Sequence, residues 1–428
     1  MADETHVGLF VTWLPGADTV LAGPVQGSRL ELMGYKVFCG LDVGKAEHHA
    51  TALDLAGKRL YDKAIANDEA ALRALFTGLG EPCELVVVVD QPASIGALPV
   101  AVAQAMGIAV EYLPGLSMRR IADLHPGNAK TDARDAYIIA DAARTMPHAL
   151  RSVDIAGPAL ADLAVLVGHD DDLKDQVTAQ TNRVRNLLLS VHPALERALG
   201  ANLAHPAVLA LLAKYGGPVG LRKAGKTRID TLLKKKAPRI HARLADDIWA
   251  ALDAQTVTVA GTSSVEAILP GMAAGLASLI AQRAAVGAEV EKVLDAHPLA
   301  KVLTSMPGVG VRTCARILVE IGDGSSFPTA GHLASYAGLA PVTRRSGSSI
   351  RSEHPNRAGN KRLKNAMFMS AFSALRCDPE SRAYYDRKRA AGKKHNAALI
   401  CLARRRCDVI YAMLRDGTYY AKQTPSAA

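Results

Sequence analysis

The stretch Tyr35-Lys-Val-Phe-Cys-Gly-Leu-Asp42-Val-Gly-Lys-Ala-Glu-His-His-Ala-Thr-Ala-Leu-Asp-Leu55 decides the fold. Residues 37–43 form a short apolar run, Gly44 and Lys45 supply a turn, and residues 49–55 alternate as a returning strand. A β-hairpin is therefore predicted, with Asp42 inside its first strand. A buried carboxylate without a partner costs about 2–7 kcal/mol. At a strand's edge a hard cation meets that need, provided that further carboxylates converge on it from elsewhere in the chain.

Downstream, residues 68–79 have helical apolar spacing with Asn67 as the N-cap. Residues 85–89 are a continuous β-branched and leucine run, the pattern of a strand covered on both faces, and the run ends at Asp90. Gln91-Pro92 breaks the strand, after which residues 95–106 read as a helix and 109–113 as a short strand. Strands alternating with helices predict an α/β domain with parallel pairings beyond the hairpin. Asp90 then lies at a strand's carboxyl end, where open α/β sheets place their sites. Residues 129–144 read as a helix capped by Thr131 or Asn128, with Asp132 and Asp135 on one face of its first turn. Acids at a helix N-terminus ordinarily favour the dipole and face water. Together with Asp42 and Asp90, however, they are predicted to bring four carboxylates to one edge of one domain.

The 428 residues predict two to four domains, and 49% hydrophobic residues are enough to fill their cores. Lys and Arg number 51 against 41 Asp and Glu, a net charge of +10 that favours a polyanionic partner, above all nucleic acid. The six cysteines have neither zinc-site spacing nor the density of a disulfide framework, and a reducing cytoplasm is expected. The apolar window at 85–110 is broken by Asp90, Pro92 and Pro99, so no membrane span is expected. Residues 1–34 carry no sustained period, and Met33 is a candidate natural start. Residues 157–192 read as one long helix, an arm of roughly 50 Å at 1.5 Å per residue. A second arm covers 262–296, and such arms suit an oligomer contact. Between them, residues 220–227 match the phosphate-loop pattern letter for letter, but a helical run at 207–214 precedes them where a strand is required, so a turn and basic helix are expected instead.

In the last third, residues 303–321 read as helix, Pro307-Gly-Val-Gly310, helix. Gly308 and Gly310 would let backbone amides approach a phosphate, the alternative being a glycine turn between packed helices. Residues 338–351 read as a polar loop holding Ser346, Ser348 and Ser349. Around it stand Arg344, Arg345, Arg351, Arg357, Lys361, Arg362 and Lys364 against the single acid Glu353, which points to contact with a phosphate backbone. A helix is expected over 363–374, followed by a basic stretch at 382–406 that includes Tyr384 and Tyr385.

These pieces taken together resemble the insertion-sequence-110 family of transposases, the bridge-RNA-guided serine recombinases. The resemblance rests on the Gly-Leu-Asp42-Val-Gly-Lys strand, Val-Val-Asp90-Gln-Pro, Lys-Thr-Asp132-Ala-Arg-Asp135-Ala, Pro-Gly-Val-Gly, and Gly-Leu-Ala-Pro followed by Arg-Ser346-Gly347. It implies an α/β RuvC-like (ribonuclease-H-like) domain over 35–155 and helical coiled-coil arms over 156–296. A helical transposase domain with the helix-hairpin-helix follows over 297–375, and a basic helical tail over 376–428. It further implies Mg2+ at Asp42, Asp90, Asp132 and Asp135, with Asp90 standing where the family commonly has Glu. The resemblance assigns the nucleophile to Ser346, with Ser348 and Ser349 as alternatives. The implied partners are donor and target DNA, a noncoding bridge RNA and further copies of the chain in a tetramer built from dimers, in the bacterial cytoplasm at the nucleoid. Two other classes use the same residues: a junction endonuclease acting by water attack, and a nonenzymatic nucleic-acid-binding protein.

Overall fold

The computed structural model describes residues 34–92, 94–125, 131–153, 158–346 and 350–421. The proposed N-terminal extension (but for Gly34), Asn128, Gly347, Ser348 and Ser349 lie outside the described residues. The chain forms two compact units, residues 1–154 and 155–428.

The first unit holds β1 (Val37–Asp42), β2 (Glu47–Asp54), β3 (Arg59–Ala66), α1 (Glu69–Leu79), β4 (Leu85–Val89), α2 (Ala97–Ala105), β5 (Ala109–Tyr112), α3 (Gly115–Ala122), α4 (Asp132–Thr145) and β6 (Arg151–Ser152). The strands make one sheet in the order β3-β2-β1-β4-β5-β6. The predicted hairpin is present, β1 and β2 pairing antiparallel, while β1–β4 and β4–β5 pair in parallel. Alternation along β1 and β4 sorts their side chains onto two faces. Cys39, Leu41, Val87 and Val89 pack with Leu72, Phe76 and Ala103 of α1 and α2, and Phe38, Val86 and Val88 pack with Ile138, Ile139 and Ala142 of α4. This is why the 85–89 run is apolar at every position: both faces of β4 are covered.

Several local expectations are corrected. Asp68, not Asn67, caps α1, its side chain accepting from Ala71 N at 2.8 Å. Asn67 instead donates to the Lys45 carbonyl at 3.1 Å and fastens the hairpin turn. Strand β3 has no counterpart in the sequence reading, because only Ile65 in it is buried and an edge strand open to water shows no apolar alternation. The short helix α3 and the two-residue β6 were likewise not anticipated.

The second unit begins with α5 (Pro158–Val191), followed by α6 (Pro193–Leu199), α7 (Pro206–Tyr215), α8 (Pro218–Ala224), α9 (Lys226–Lys236) and α10 (His241–Ala254). Then come α11 (Thr262–Asp295), α12 (Pro298–Thr304), α13 (Val311–Ile321) and α14 (Ala330–Tyr336). The hairpin β7 (Val342–Ser346) and β8 (Ile350–His354) leads into α15 (Lys361–Cys377), α16 (Pro379–Ala390) and α17 (His395–Asp416). The two long helices run antiparallel: Arg283 of α11 meets Asp170 of α5, and Gln180 of α5 donates to the Met272 carbonyl of α11 at 3.3 Å. At one end of the pair, α6 to α10 enclose a core containing Val184, Leu188, Leu212, Leu233, Ile248 and Leu276. At the other end, Leu163 and Leu294 join Ile317, Met367, Leu402 and Ile410 in a second core. Helix α17 is thus a core helix, although its basic sequence reads as a tail.

The phosphate-loop match spans the end of α8, Gly225 and the start of α9, with no strand before it. At the start of α8, the Glu266 carboxylate accepts from the amides of Gly217 (2.9 Å), Val219 (2.7 Å) and Gly220 (3.3 Å). The expectation that no helix would be long and apolar enough to cross a membrane is corrected as well. By length and composition α11 passes that test, with a mean hydropathy of 1.6 over its most apolar window. Leucine, isoleucine, valine and alanine produce this value, and the helix lies along α5.

Candidate metal centre

Gly40 sets the geometry of the acidic edge. A Cβ at this position would stand 2.3 Å from the Ala136 carbonyl oxygen and 2.5 Å from the Ala140 amide of α4. Only glycine allows helix and strand to approach this closely. Asp42 lies two residues further along β1 and so on the same face, toward the turn that precedes Ala136 in α4. That turn carries Asp132 and Asp135, and Thr131 caps it by accepting from Arg134 N at 3.3 Å. Asp90 follows directly on β4, whose Val89 is in register with Leu41, so Asp90 comes alongside Asp42.

Electrostatics report the convergence. The Asp42 carboxyl is pushed up to about 7 from the ordinary 3.8, first by desolvation and then by the charges of Asp90, Asp132 and Asp135, with His49 acting in the opposite sense. Asp90 is also raised, chiefly by burial. Its Oδ1 is buried without a hydrogen-bond partner. Oδ2 accepts a long bond of 3.5 Å from the Gln91 side chain. An orphaned carboxylate oxygen among further acids fits a hard divalent cation, which takes carboxylate oxygens as ligands. Among the described residues no group of three or more His, Cys, Asp or Glu side chains is placed so that it could hold an ion.

One neighbour escaped the sequence reading. His49 is in register with Asp42 across the hairpin. Its Nε2 lies 2.9 Å from Asp62 Oδ1, and Asp62 also accepts from Thr51 (3.1 Å) and Arg59 (2.8 Å). Asp62 belongs to β3, so overlooking that strand hid the pair.

The remaining predicted residues belong to the second unit. Ser346 ends β7 in register with Ile350, so the expected loop is a β-hairpin up to its tip. Arg345 and Arg351 are directly opposed in that ladder, and Arg344 opposes Ser352. Arg357, Lys361 and Arg362 are exposed. The two hairpin glycines differ. Gly310 is exposed and has open space where a Cβ would go. Gly308, at φ +85°, lies against α15, with the Ser370 carbonyl 2.6 Å and the Ala374 amide 2.7 Å from the position of a Cβ. Packing alone accounts for glycine there.

Two family profiles match the chain. The IS110 DEDD profile, described as transposase, covers residues 39–193, and the profile of the transposase IS116/IS110/IS902 family covers residues 300–386. The chain is 56% identical to an insertion element IS110 protein of 43.6 kDa from Streptomyces coelicolor, over 91% of its own length and 96% of the relative's. It is 36% identical to an insertion element IS900 protein of 42 kDa from Mycobacterium paratuberculosis, over 92% and 100%. It is also similar to the pilin gene-inverting protein of Moraxella bovis, 37% identical over 29% of the chain and 39% of the relative. With acids gathered on a sheet edge in one unit, basic residues massed in the other, and full-length relatives among insertion elements, the chain belongs to the IS116/IS110/IS902 family of transposases, enzymes that recombine DNA.

Proposed function

We propose that this transposase cuts and rejoins DNA through a covalent phosphoserine formed by Ser346, in a RuvC-like arrangement where Asp42, Asp90, Asp132 and Asp135 hold Mg2+. The observation that carries the reading is the convergence of three acids on half-buried Asp42, whose carboxyl is pushed up to about 7 first by desolvation and then by their charges. When bound, Mg2+ would polarise the scissile phosphate and offset the charge of the attacking and leaving oxygens. Ser346 Oγ forms the new bond to phosphorus as the bond from phosphorus to the leaving sugar oxygen breaks. The proton lost by the serine is balanced by the one the sugar oxygen gains. The phosphoester retains the energy of the broken strand, so an incoming hydroxyl reverses the step without ATP. The acids belong to the first unit and Ser346 to the second, so tertiary or subunit arrangement must unite them, and a tetramer built from dimers is the assembly proposed. The gene-inverting activity named for the Moraxella relative supports recombination over simple cleavage. Choice of sites by a noncoding bridge RNA follows from the family resemblance, with the protein gripping backbone shape while base pairing reads sequence.

The test is to mix the protein with the transcript flanking its gene, end-labelled DNA carrying the element's junction, and Mg2+. A protein–DNA adduct that survives denaturation is expected, and it should vanish in Ser346→Ala. Cleavage without an adduct would establish the water-attack reading instead.

A further inference from the structure

Within the second unit, α5, α11, α13 and α15 enclose a cleft of about 530 Å³. This is within the usual range for a ligand site of roughly 300–1,000 Å³. Its charged lining is unequal: Lys174, Arg283, Arg312, Arg316, Lys361 and Arg362 stand against only Asp170 and Asp171. Both acids are already engaged. Asp170 takes Arg283 in a two-pronged pair at 3.0 and 3.2 Å and Arg312 at 3.2 Å. Asp171 takes Arg316 and, at 3.6 Å, Lys174. Lys361 and Arg362 have no ion pair among the described residues. They also sit in the first turn of α15, at the positive end of a helix, where cations are disfavoured. An anion is the group that would relieve both.

The cleft opens onto a continuous exposed face of α15. Arg362, Asn365, Met369, Phe372 and Arg376 recur at steps of three and four residues, and all are exposed. They extend about 21 Å at 1.5 Å per residue. Met369 is 43% and Phe372 37% exposed, so both apolar groups reach solvent in mid-helix. Arg376 stacks over the Phe372 ring at 5.8 Å, and His395 meets the ring edge at 6.4 Å. Cations, an amide and an aromatic face in alternation match what a single strand offers: phosphates, base edges and base faces. A duplex hides its base faces, and an acidic peptide has no use for the aromatic.

The geometry points to a binding track for single-stranded nucleic acid along α15, with a phosphate at Lys361 and Arg362 in the cleft and a base stacked on Phe372. It rests on the reading of the chain as a nucleic-acid enzyme but not on the serine chemistry. Neither the acidic edge nor Ser346 takes part in it.

The test is fluorescence anisotropy of the full chain, without Mg2+, on a labelled strand of roughly 20 nucleotides and on its duplex. The single strand should bind more tightly. Phe372→Ala should weaken it about tenfold. That loss should not change the salt dependence, and Phe372→Trp should restore affinity. The double variant Lys361→Glu/Arg362→Glu should weaken binding more than tenfold. It should also lower the slope of log affinity against log salt by about 1.4, for two phosphates released. Exposed Lys235→Glu on α9 is the control. The track is overturned if Phe372→Ala binds the strand as wild type does, if Lys235→Glu loses as much as the double variant, or if duplex binds equally and suffers equally. Adduct formation that persists alongside such results would reject the track alone; failure to bind any nucleic acid would reject the proposed function with it.

Discussion

A buried charge in one unit and a half-buried charge in the other are handled in opposite ways. Arg406 of α17 is 3% exposed, and oxygens of its own fold satisfy it while the nearby Asp378 charge favours the cation. Ser370 Oγ accepts from Nε and Nη2 at 2.9 and 2.7 Å, and the Pro307 carbonyl accepts from Nη2 at 2.6 Å. Burial pulls its pKa down to about 10, still far above neutrality, so the charge stays. Asp42 is instead surrounded by three more acids and pushed up to about 7. The Arg406 network completes itself and pins the Pro307–Gly308 turn to α15 and α17. The Asp42 cluster lacks a positive centre. A buried charge that the fold satisfies is structural, whereas one that the fold worsens is arranged for something that binds.

The contrast can be broken first at Arg406. Arg406→Met leaves the Ser370 hydroxyl and the Pro307 carbonyl buried without their donor, and should cost about 3 kcal/mol in urea unfolding. A loss under about 1 kcal/mol would show that the network is not structural. Next is the packing that creates the acidic cluster. Gly40→Ala drives a methyl into the α4 backbone and should cost about 2 kcal/mol by forcing strand and helix apart. It should also weaken Mg2+ binding measured by calorimetry, which a purely structural glycine elsewhere would not do. The smallest effect sharpens the comparison through pH. Asp42 has its folded pKa raised above its unfolded value, so between about 4 and 7 the native state holds the extra proton. Metal-free stability should therefore fall as pH rises through that window. Asp42→Asn should flatten the slope and gain about 1 kcal/mol at pH 8, once solvent screening of this half-exposed group is allowed for. DNA cleavage by that variant should drop more than about 100-fold. A variant equally steep in pH would move the titration to another acid.

The same physics explains what could be read in advance. Asp42, Asp90, Asp132 and Asp135 were legible because each stands where a local pattern breaks: inside a strand, at its end, or in the first turn of a helix. Likewise α5 and α11 were legible because sustained apolar periodicity without breakers has few other outcomes. Ser346 was singled out by its Arg-Ser-Gly setting, but β7 and β8 were missed, since an exposed polar hairpin carries no burial signal.

The sequence by itself determined the β1–β2 hairpin, strand β4, the long helices and the choice of candidate acids, because propensity, capping and burial patterns act over neighbouring residues. Only the tertiary structure decided that Gly40 lets α4 descend onto β1 and that Gly308 is held against α15. It also decided that His49 and Asp62 lean on the acidic edge, and that the basic C-terminal helix α17 is core. Each of these depends on residues distant in the chain meeting within a few ångströms, and no local pattern encodes which partner a glycine or a charge will meet.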